Sequence, residues 1–102
     1  MDEYSISATD TFKKVYASLD TSEKNWIEKI KRQLRINPTG KILQFGWFRE
    51  KKFHNKRLFY LLDNKNKKVL LVAFASKKEQ QKIINFVISN KDELFNLLQK
   101  FS

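Results

Sequence analysis

The sequence predicts an α+β domain: an N-terminal helical hairpin packed on a small, mainly antiparallel sheet, followed by a C-terminal helical segment. Three observations predict it. Helical periodicity fills the first third of the chain, two unbroken apolar runs of strand length occupy 58–62 and 69–75, and helical periodicity returns after residue 76. Because 102 residues with 41% hydrophobic content suffice for one core and are short for two, we expect a single domain over residues 1–102.

The N-terminal segment carries a weak strand signal and then a helix. Residues 4–7 alternate apolar and polar side chains, which is typical of a strand. Thr9 or Asp10 can then cap a helix. Its apolar side chains recur at helical spacing, and they are Phe12, Val15, Tyr16 and Leu19.

A second amphipathic helix follows the break at 20–22. Its apolar stripe consists of Trp26, Ile27, Ile30 and Leu34. The helix should stop near Ile36, since the residue before a proline avoids the helical region and 37–40 has turn chemistry. We expect the two helices to form an antiparallel hairpin, with Trp26 in the core.

Strand patterns begin at Ile42. One strand is predicted from Ile42 through Phe48, with a bulge at Gly46, followed by a polar connection at 53–56. The runs 58–62 and 69–75 should pair as an antiparallel hairpin through the Asn-rich turn at 63–67, with both faces buried.

Two cap signals divide the C-terminal part of the chain. Ser76 and Glu79 have the spacing of a capping box, so a helix should begin there. Asn90 and Glu93 repeat that spacing, which predicts a break or kink before a second apolar face that extends from Leu94 to Phe101. That face could complete the core, cover the sheet or receive a protein partner.

The charge of the chain points to polyanionic partners. Lys and Arg number 21 against 11 Asp and Glu, a net charge of +10. Such a field attracts nucleic acid first, then an acidic protein or an anionic membrane surface, although a lysine-rich surface that serves only solubility is the plain alternative. For lysines 65, 67 and 68 we favour that plain interpretation.

Several classes of site and location are excluded or disfavoured by composition. The absence of cysteine excludes disulfides and thiolate metal sites, and a single histidine cannot build a histidine metal site, so we expect no metal and no cofactor. The acidic N-terminus is unlike a secretory signal, and no stretch approaches the ~20 apolar residues that span a bilayer. A cytoplasmic protein without a membrane partner is therefore expected.

The predicted hairpin brings cations from separate segments together. Antiparallel pairing of 58–62 with 69–75 places Arg57 beside residues 76–78, and therefore beside Lys77 and Lys78. Lys78 would lie in the first helical turn, where free backbone N–H groups add partial positive charge. Arg49 and Lys51 could line the same region from the preceding strand. Such a cluster suits a phosphate group.

Further basic and aromatic side chains complete the candidate site. Lys52, Lys56 and Lys77 would contact the backbone of a nucleic acid, and Trp47 is the better of the two tryptophans for stacking on a base. His54 could give or take a proton near neutral pH, as could a lysine whose pKa is lowered by neighbouring cations, although a lone histidine in a connection is often incidental. Tyr60 points away from Arg57 and is assigned to the core.

A series of short segments follows the helical hairpin in a recognisable order. They are Asn37–Leu43, Phe48–Lys51, Lys56–Tyr60 and Ser76–Gln81. In that order and spacing the chain, from about residue 4 to residue 88, resembles toxins of the RelE/ParE superfamily. The resemblance implies a RelE/ParE-like fold and a toxin of a type II toxin–antitoxin system, neutralised by a cognate acidic antitoxin.

The resemblance also implies a reaction. RelE-like members cleave mRNA on the ribosome without metal, by attack of a 2′-hydroxyl on the adjacent phosphate. By position, Arg57 matches the arginine at the head of the central strand, Lys78 replaces an arginine, and Arg49 and Lys51 approximate the basic residues of the preceding strand. The tyrosine of the following helix is replaced by an apolar residue at or near Ile84. This leaves His54, a lysine or no group as the acid/base.

Three functions are therefore weighed. The first is a RelE-like, ribosome-dependent mRNA endonuclease. The second is a ParE-like inhibitor of DNA gyrase, and the third is a basic RNA-binding module without enzymatic activity. The candidate catalytic residues are Arg57, Lys78, Arg49, Lys51 and His54.

Overall fold

The computed structural model describes residues 3–100 and contains one five-stranded sheet with helices on both faces. The elements in chain order are β1 (Ser5–Ala8), α1 (Asp10–Ala17), α2 (Thr21–Ile36), β2 (Lys41–Ile42), β3 (Phe48–Phe53), β4 (Lys56–Asp63), β5 (Lys68–Ser76), a 3₁₀ turn (Lys77–Glu79), α3 (Gln80–Ser89) and α4 (Lys91–Lys100). The strand order is β1-β5-β4-β3-β2; β1 is parallel to β5 and the other pairs are antiparallel. The predicted α+β class and mainly antiparallel sheet are confirmed.

The sheet separates two apolar cores. Along β4, Leu58, Tyr60 and Leu62 pack with α1 and α2, while Phe59 and Leu61 pack with α3 and α4. We call these the α1–α2 face and the α3–α4 face. Since every residue from 57 to 62 is buried, the prediction of a hairpin covered on both sides is confirmed.

A β-bulge in β5 keeps both cores filled. The register shifts between Phe59 and Tyr60, whose partners are Ala73 and Leu71, so Val72 is the extra residue. The bulge reverses the alternation of side chains. As a result Phe74 joins Val69 and Leu71 on the α1–α2 face.

Side-chain caps fix the starts of both N-terminal helices. The Thr9 hydroxyl accepts from the N–H of Phe12 at 3.0 Å, and Asp20 and Glu23 form a capping box. The backbone contacts of α1 are mainly with β5 and those of α2 with β1. The predicted helical hairpin is therefore matched only loosely, because the sheet rather than the other helix is the main partner of each.

The predicted strand from Ile42 to Phe48 is wrong in its continuity. The chain turns at 43–47 and returns, so that β2 pairs antiparallel with β3 through Lys41 opposite Glu50. Gly46 lies in this turn and marks no bulge. The connection predicted at 53–56 shrinks to His54 and Asn55, with His54 at a left-handed φ of 55°.

The C-terminal helices cover the α3–α4 face. Ser76 makes no side-chain cap, and a 3₁₀ turn precedes α3, so the predicted capping box is wrong. The break at Asn90 is present; its side-chain amide donates back to the carbonyl of Phe86 at 2.8 Å. Leu94 and Leu98 of α4 are buried in the core, whereas Phe101 lies outside the described residues. No helix within residues 3–100 combines the length and apolar character that a membrane span requires.

Tyr60 is locked in the core beneath the turn that precedes β2. Its hydroxyl donates to the carbonyl of Thr39, and its side chain is fully buried. A Cβ at Gly40 would lie 2.9 Å from the carbonyl oxygen of Glu50, so this close approach needs glycine. Burial raises the pKa of Tyr60 to about 12, against a smaller opposing effect of Arg49.

This shift predicts an alkaline loss of stability. In the unfolded chain Tyr60 ionises from pH 10 upward, whereas in the folded protein it stays neutral to about pH 12. The contribution of Tyr60 to the free energy of unfolding is therefore fully present below pH 10 and is lost between pH 10 and 12. We expect the Tyr60→Phe variant to be less stable than wild type by about 1 kcal/mol at pH 9, because the hydrogen bond is lost. By pH 11.5 wild type should have lost about 2 kcal/mol relative to the variant, which reverses the order. Urea unfolding at both pH values measures this; an unchanged difference would contradict it.

Candidate nucleic-acid interface

The structure brings Arg57 beside the segment that follows β5. In the β4–β5 register, Lys56 lies opposite Ser76 and Arg57 lies opposite Ala75. The N–H of Lys77 then donates to the carbonyl of Asn55 at 3.2 Å, which ties the 3₁₀ turn to the turn between β3 and β4. The proximity predicted from antiparallel pairing is therefore present.

Arg57 is buried and paired with a carboxylate. Its Nε lies 3.7 Å from Oε2 of Glu50, and the two residues are 8% and 5% exposed. Nη1 donates to the carbonyls of His54 and Lys56 at 3.3 and 3.1 Å. Gln80 of α3 donates to the other oxygen of Glu50 at 2.7 Å. The guanidinium is thus held by one carboxylate and two backbone carbonyls, and the carboxylate is itself held by Gln80.

One nitrogen of this guanidinium is still available to a ligand. Within residues 3–100, Nη2 of Arg57 has no hydrogen-bond acceptor among the protein side chains and carbonyls, yet no buried side-chain nitrogen or oxygen there lacks a partner. Nη2 must therefore retain solvent contact. Nη2 is therefore the terminal guanidinium nitrogen that can donate to an acceptor from outside the chain.

Three exposed lysines lie at backbone positions adjacent to Arg57. Lys52 lies directly opposite Arg57 in the β3–β4 register, and therefore on the same face of the sheet. Lys77 and Lys78 project from the 3₁₀ turn, and all three lysines are exposed. None of them forms an ion pair within residues 3–100. We call Lys52, Arg57, Lys77 and Lys78 the Arg57 cluster.

Arg49 and Lys51 lie on the other face, so the predicted convergence of all these cations is wrong. Side chains alternate along β3, which directs Glu50 and Lys52 to the α3–α4 face and Arg49 and Lys51 to the α1–α2 face. There Arg49 donates to the carbonyls of Gly46 and Pro38 at 3.0 and 3.4 Å. Lys51 donates to the hydroxyl of Thr39 at 3.0 Å. Both brace the turns that flank β2.

Lys56 and His54 are also directed away from Arg57. The ammonium of Lys56 pairs with Glu23 of α2 and lies over the ring of Phe74 at 5.4 Å. The imidazole of His54 is exposed and meets the Phe53 ring edge-on at 4.5 Å, a ring that belongs to the α1–α2 core. Only the carbonyl of His54 contacts Arg57. Its role as an acid/base stays a prediction.

Trp47 and Ile84 are both packed inward. Trp47 is half-buried between Phe45 and Phe95, while Ile84 is buried on the inward face of α3. Trp26 stacks against Phe53 and Phe74 in the opposite core, as predicted.

Sequence reasoning missed the partner of Arg57. In the sequence Glu50 is flanked by Arg49 and Lys51, which indicates only that it offsets neighbouring charges, and Gln80 carries no signal. Finding them required the register that sets Glu50 opposite Phe59, two residue pairs from Arg57 and therefore on the same face of the sheet.

The Arg57 cluster is separate from the cavity on the α1–α2 face. A cavity of about 390 Å³ lies between β1, α1 and α2 on the opposite face and contains no predicted site residue. Within residues 3–100, no three His, Cys, Asp or Glu side chains are grouped to hold a metal ion. The groups that the Arg57 cluster presents are ammonium and guanidinium groups, which are of the kind that bind phosphate.

Comparison with known proteins extends only to the fold. No protein-family model and no curated protein sequence matches this chain. A free double mutant of the E. coli toxin RelE superposes with a TM-score of 0.67 at 13% identity, covering 79% of this chain and 90% of that chain.

Two toxin–antitoxin complexes are similar to the same degree. The archaeal RelE–RelB complex from Pyrococcus horikoshii matches with a TM-score of 0.64 and 15% identity, over 76% of this chain and 97% of that chain. The RelBE2 complex from Mycobacterium tuberculosis matches with a TM-score of 0.63 and 18% identity, over 74% of this chain and 99% of that chain. Such identities establish architecture rather than activity. The chain therefore has the fold of RelE toxins.

Proposed function

We propose that this chain is a RelE-like toxin of a type II toxin–antitoxin system that cleaves mRNA on the ribosome. The observation that carries the proposal is the combination of a RelE fold with the Arg57 cluster at one end of the β4–β5 hairpin. A net charge of +10 supports an RNA substrate.

In the proposed reaction, a ribose 2′-hydroxyl attacks the adjacent phosphate and the 5′-oxygen of the next nucleotide leaves. Negative charge grows on the phosphate oxygens as the bond forms. Arg57 would stabilise it through Nη2, and Lys52, Lys77 and Lys78 would add flexible point charges. Fixed cations act most strongly when they need no rearrangement. Glu50 holds Arg57 in this way, and Gln80 in turn holds Glu50.

The proton transfers require a group outside the core. Tyr60 is closed off in the core and Ile84 is apolar. An exposed lysine of the Arg57 cluster or His54 would have to serve as acid and base, after a rotation of the imidazole in the case of His54. Stabilisation of the phosphate therefore carries most of the proposed catalysis.

The proposed protein partner is an acidic antitoxin. In two solved structures of similar fold, RelE is bound to RelB. An acidic chain would neutralise the excess of cations on this one. The proposal predicts a complex whose affinity falls as salt rises.

The experiment that tests the function is controlled expression followed by mapping of RNA ends. Induction should stop growth, and new RNA ends should fall within codons of translated messages. Blocking initiation should abolish these ends, because the ribosome supplies part of the site. Intact messages in arrested cells would contradict the nuclease, and gyrase-linked DNA breaks in those cells would support the ParE-like alternative.

The ion pair between Arg57 and Glu50 favours a second candidate, the RNA-binding module without catalysis. The carboxylate cancels part of the charge that a cleaving site would use. This candidate predicts RNA binding with intact RNA and no growth arrest, so the same experiment separates the two.

A further inference from the structure

An aromatic stack reaches the surface in the turn between β2 and β3. The rings of Phe45 and Trp47 lie 5.1 Å apart and within 7° of parallel. Phe95 of α4 meets Trp47 edge-on at 5.4 Å, so Trp47 is the inner ring. Phe45 is the outer ring and is 39% exposed.

A cation borders this stack. The ammonium of Lys91, at the start of α4, lies over the Trp47 ring at 5.2 Å from its centroid. Lys91 is exposed and has no ion-pair partner within residues 3–100. Phe45 and Lys91 thus both contact Trp47, and together they offer the two groups that a nucleotide needs, since bases stack on aromatic faces and phosphates pair with ammonium groups.

We propose that Phe45 is a stacking site for a nucleobase of single-stranded RNA, with Lys91 holding an adjacent phosphate. This inference rests on the proposed function and adds a second contact to the Arg57 cluster. It also revises the prediction for Trp47, which supports the stacking ring instead of meeting the base itself.

The two contacts lie at opposite ends of β3. Phe48 follows the aromatic turn directly, and Lys52 faces Arg57 four residues later. At about 3.3 Å per residue this separation is roughly 13 Å. A strand of several nucleotides can reach both contacts, so the stacked base would fix the position of the RNA relative to Arg57.

The charge of the surroundings favours RNA over an apolar protein segment. An apolar protein segment would gain no binding energy from the charge of Lys91. Such a segment could also pack equally well on any apolar side chain at position 45. A base instead requires a flat ring. Replacing the ring while keeping apolar area therefore distinguishes the two occupants.

The test compares Phe45→Leu and Phe45→Trp with wild type in binding a fluorescein-labelled short RNA and an abasic strand of equal length. Phe45→Leu should weaken binding of the RNA about tenfold and leave binding of the abasic strand unchanged. Phe45→Trp should bind at least as tightly as wild type. RNA should also quench Trp47 fluorescence in wild type. Phe86→Leu, at a 56% exposed ring on α3, is the matched control and should change neither affinity.

Several outcomes would overturn the inference. Equal binding by wild type and Phe45→Leu, or equal weakening for both strands, excludes base stacking at this ring. If Phe45→Leu gives either of these results while wild type still arrests growth and cleaves mRNA, the stacking site is excluded and the proposed function stands. If wild type binds neither strand, the stacking site and the proposed RNA substrate fail together.

Discussion

Replacing Arg57 with alanine is expected to lower the free energy of unfolding by about 3 kcal/mol or more, because it leaves the Glu50 carboxylate buried without its cation. The two groups are 3.7 Å apart and less than a tenth exposed. Gln80 would remain as a neutral donor to the carboxylate, which compensates only part of the lost charge.

A second substitution should restore the stability. In the Arg57→Ala background, Glu50→Gln removes the uncompensated charge and keeps an oxygen for Gln80 to donate to, so most of the loss should return. Urea unfolding of the two single variants and the double variant measures the coupling. Arg49→Ala is the matched control. Within residues 3–100 the side chain of Arg49 lies on the opposite face and donates only to backbone carbonyls. The free energy of unfolding of this variant should therefore fall by only about 1 kcal/mol.

Two results would contradict the buried pair. One is an Arg57→Ala variant as stable as wild type, and the other is a double variant no more stable than that single variant. The prediction also constrains functional tests, since loss of toxicity in Arg57→Ala alone would not distinguish an empty phosphate site from an unstable protein.

Neutralising the exposed lysines of the Arg57 cluster is expected to weaken RNA binding strongly without loss of stability. Changing Lys52, Lys77 and Lys78 together to glutamine should reduce affinity for single-stranded RNA about tenfold or more at physiological salt. The slope of log affinity against log salt should fall by about 2, as three phosphate contacts are lost. In cells the variant should no longer arrest growth.

The matched control removes the same charge elsewhere. Lys14, Lys29 and Lys65 are exposed on α1, α2 and the β4–β5 turn. Their triple change to glutamine alters net charge equally and should change affinity by about threefold at most, because distant charges are screened by salt. Equal losses in the two triple variants would show that binding depends on total charge and would contradict a localised site.

The sequence was informative where one periodicity dominated. The apolar runs of β4 and β5 with a polar turn between them predicted the hairpin, and the hairpin register alone placed Arg57 beside residues 76–78. The stripe containing Trp26 likewise predicted the α2 core contact.

The failures occurred where a turn without a strong signal decided the geometry. His54 and Asn55 close the β3–β4 hairpin, and His54 has a left-handed φ although it is not glycine. The sequence therefore carries no signal for the position of this turn. That turn sets the register, and the register decides which side of the sheet Arg49 and Lys51 occupy. Gly46 was equally consistent with a bulge or a reversal of the chain, and only the pairing of β2 with β3 distinguishes them.

The account depends most on the location of the RNA site, and amide NMR during titration of labelled protein with a short single-stranded RNA tests it directly. Shifts should concentrate in two segments that adjoin across the hairpin, 52–57 and 76–80, with a smaller group near Phe45 and Lys91. Shifts confined to α1 and α2, or an absence of shifts at RNA concentrations that saturate binding, would contradict the proposed site.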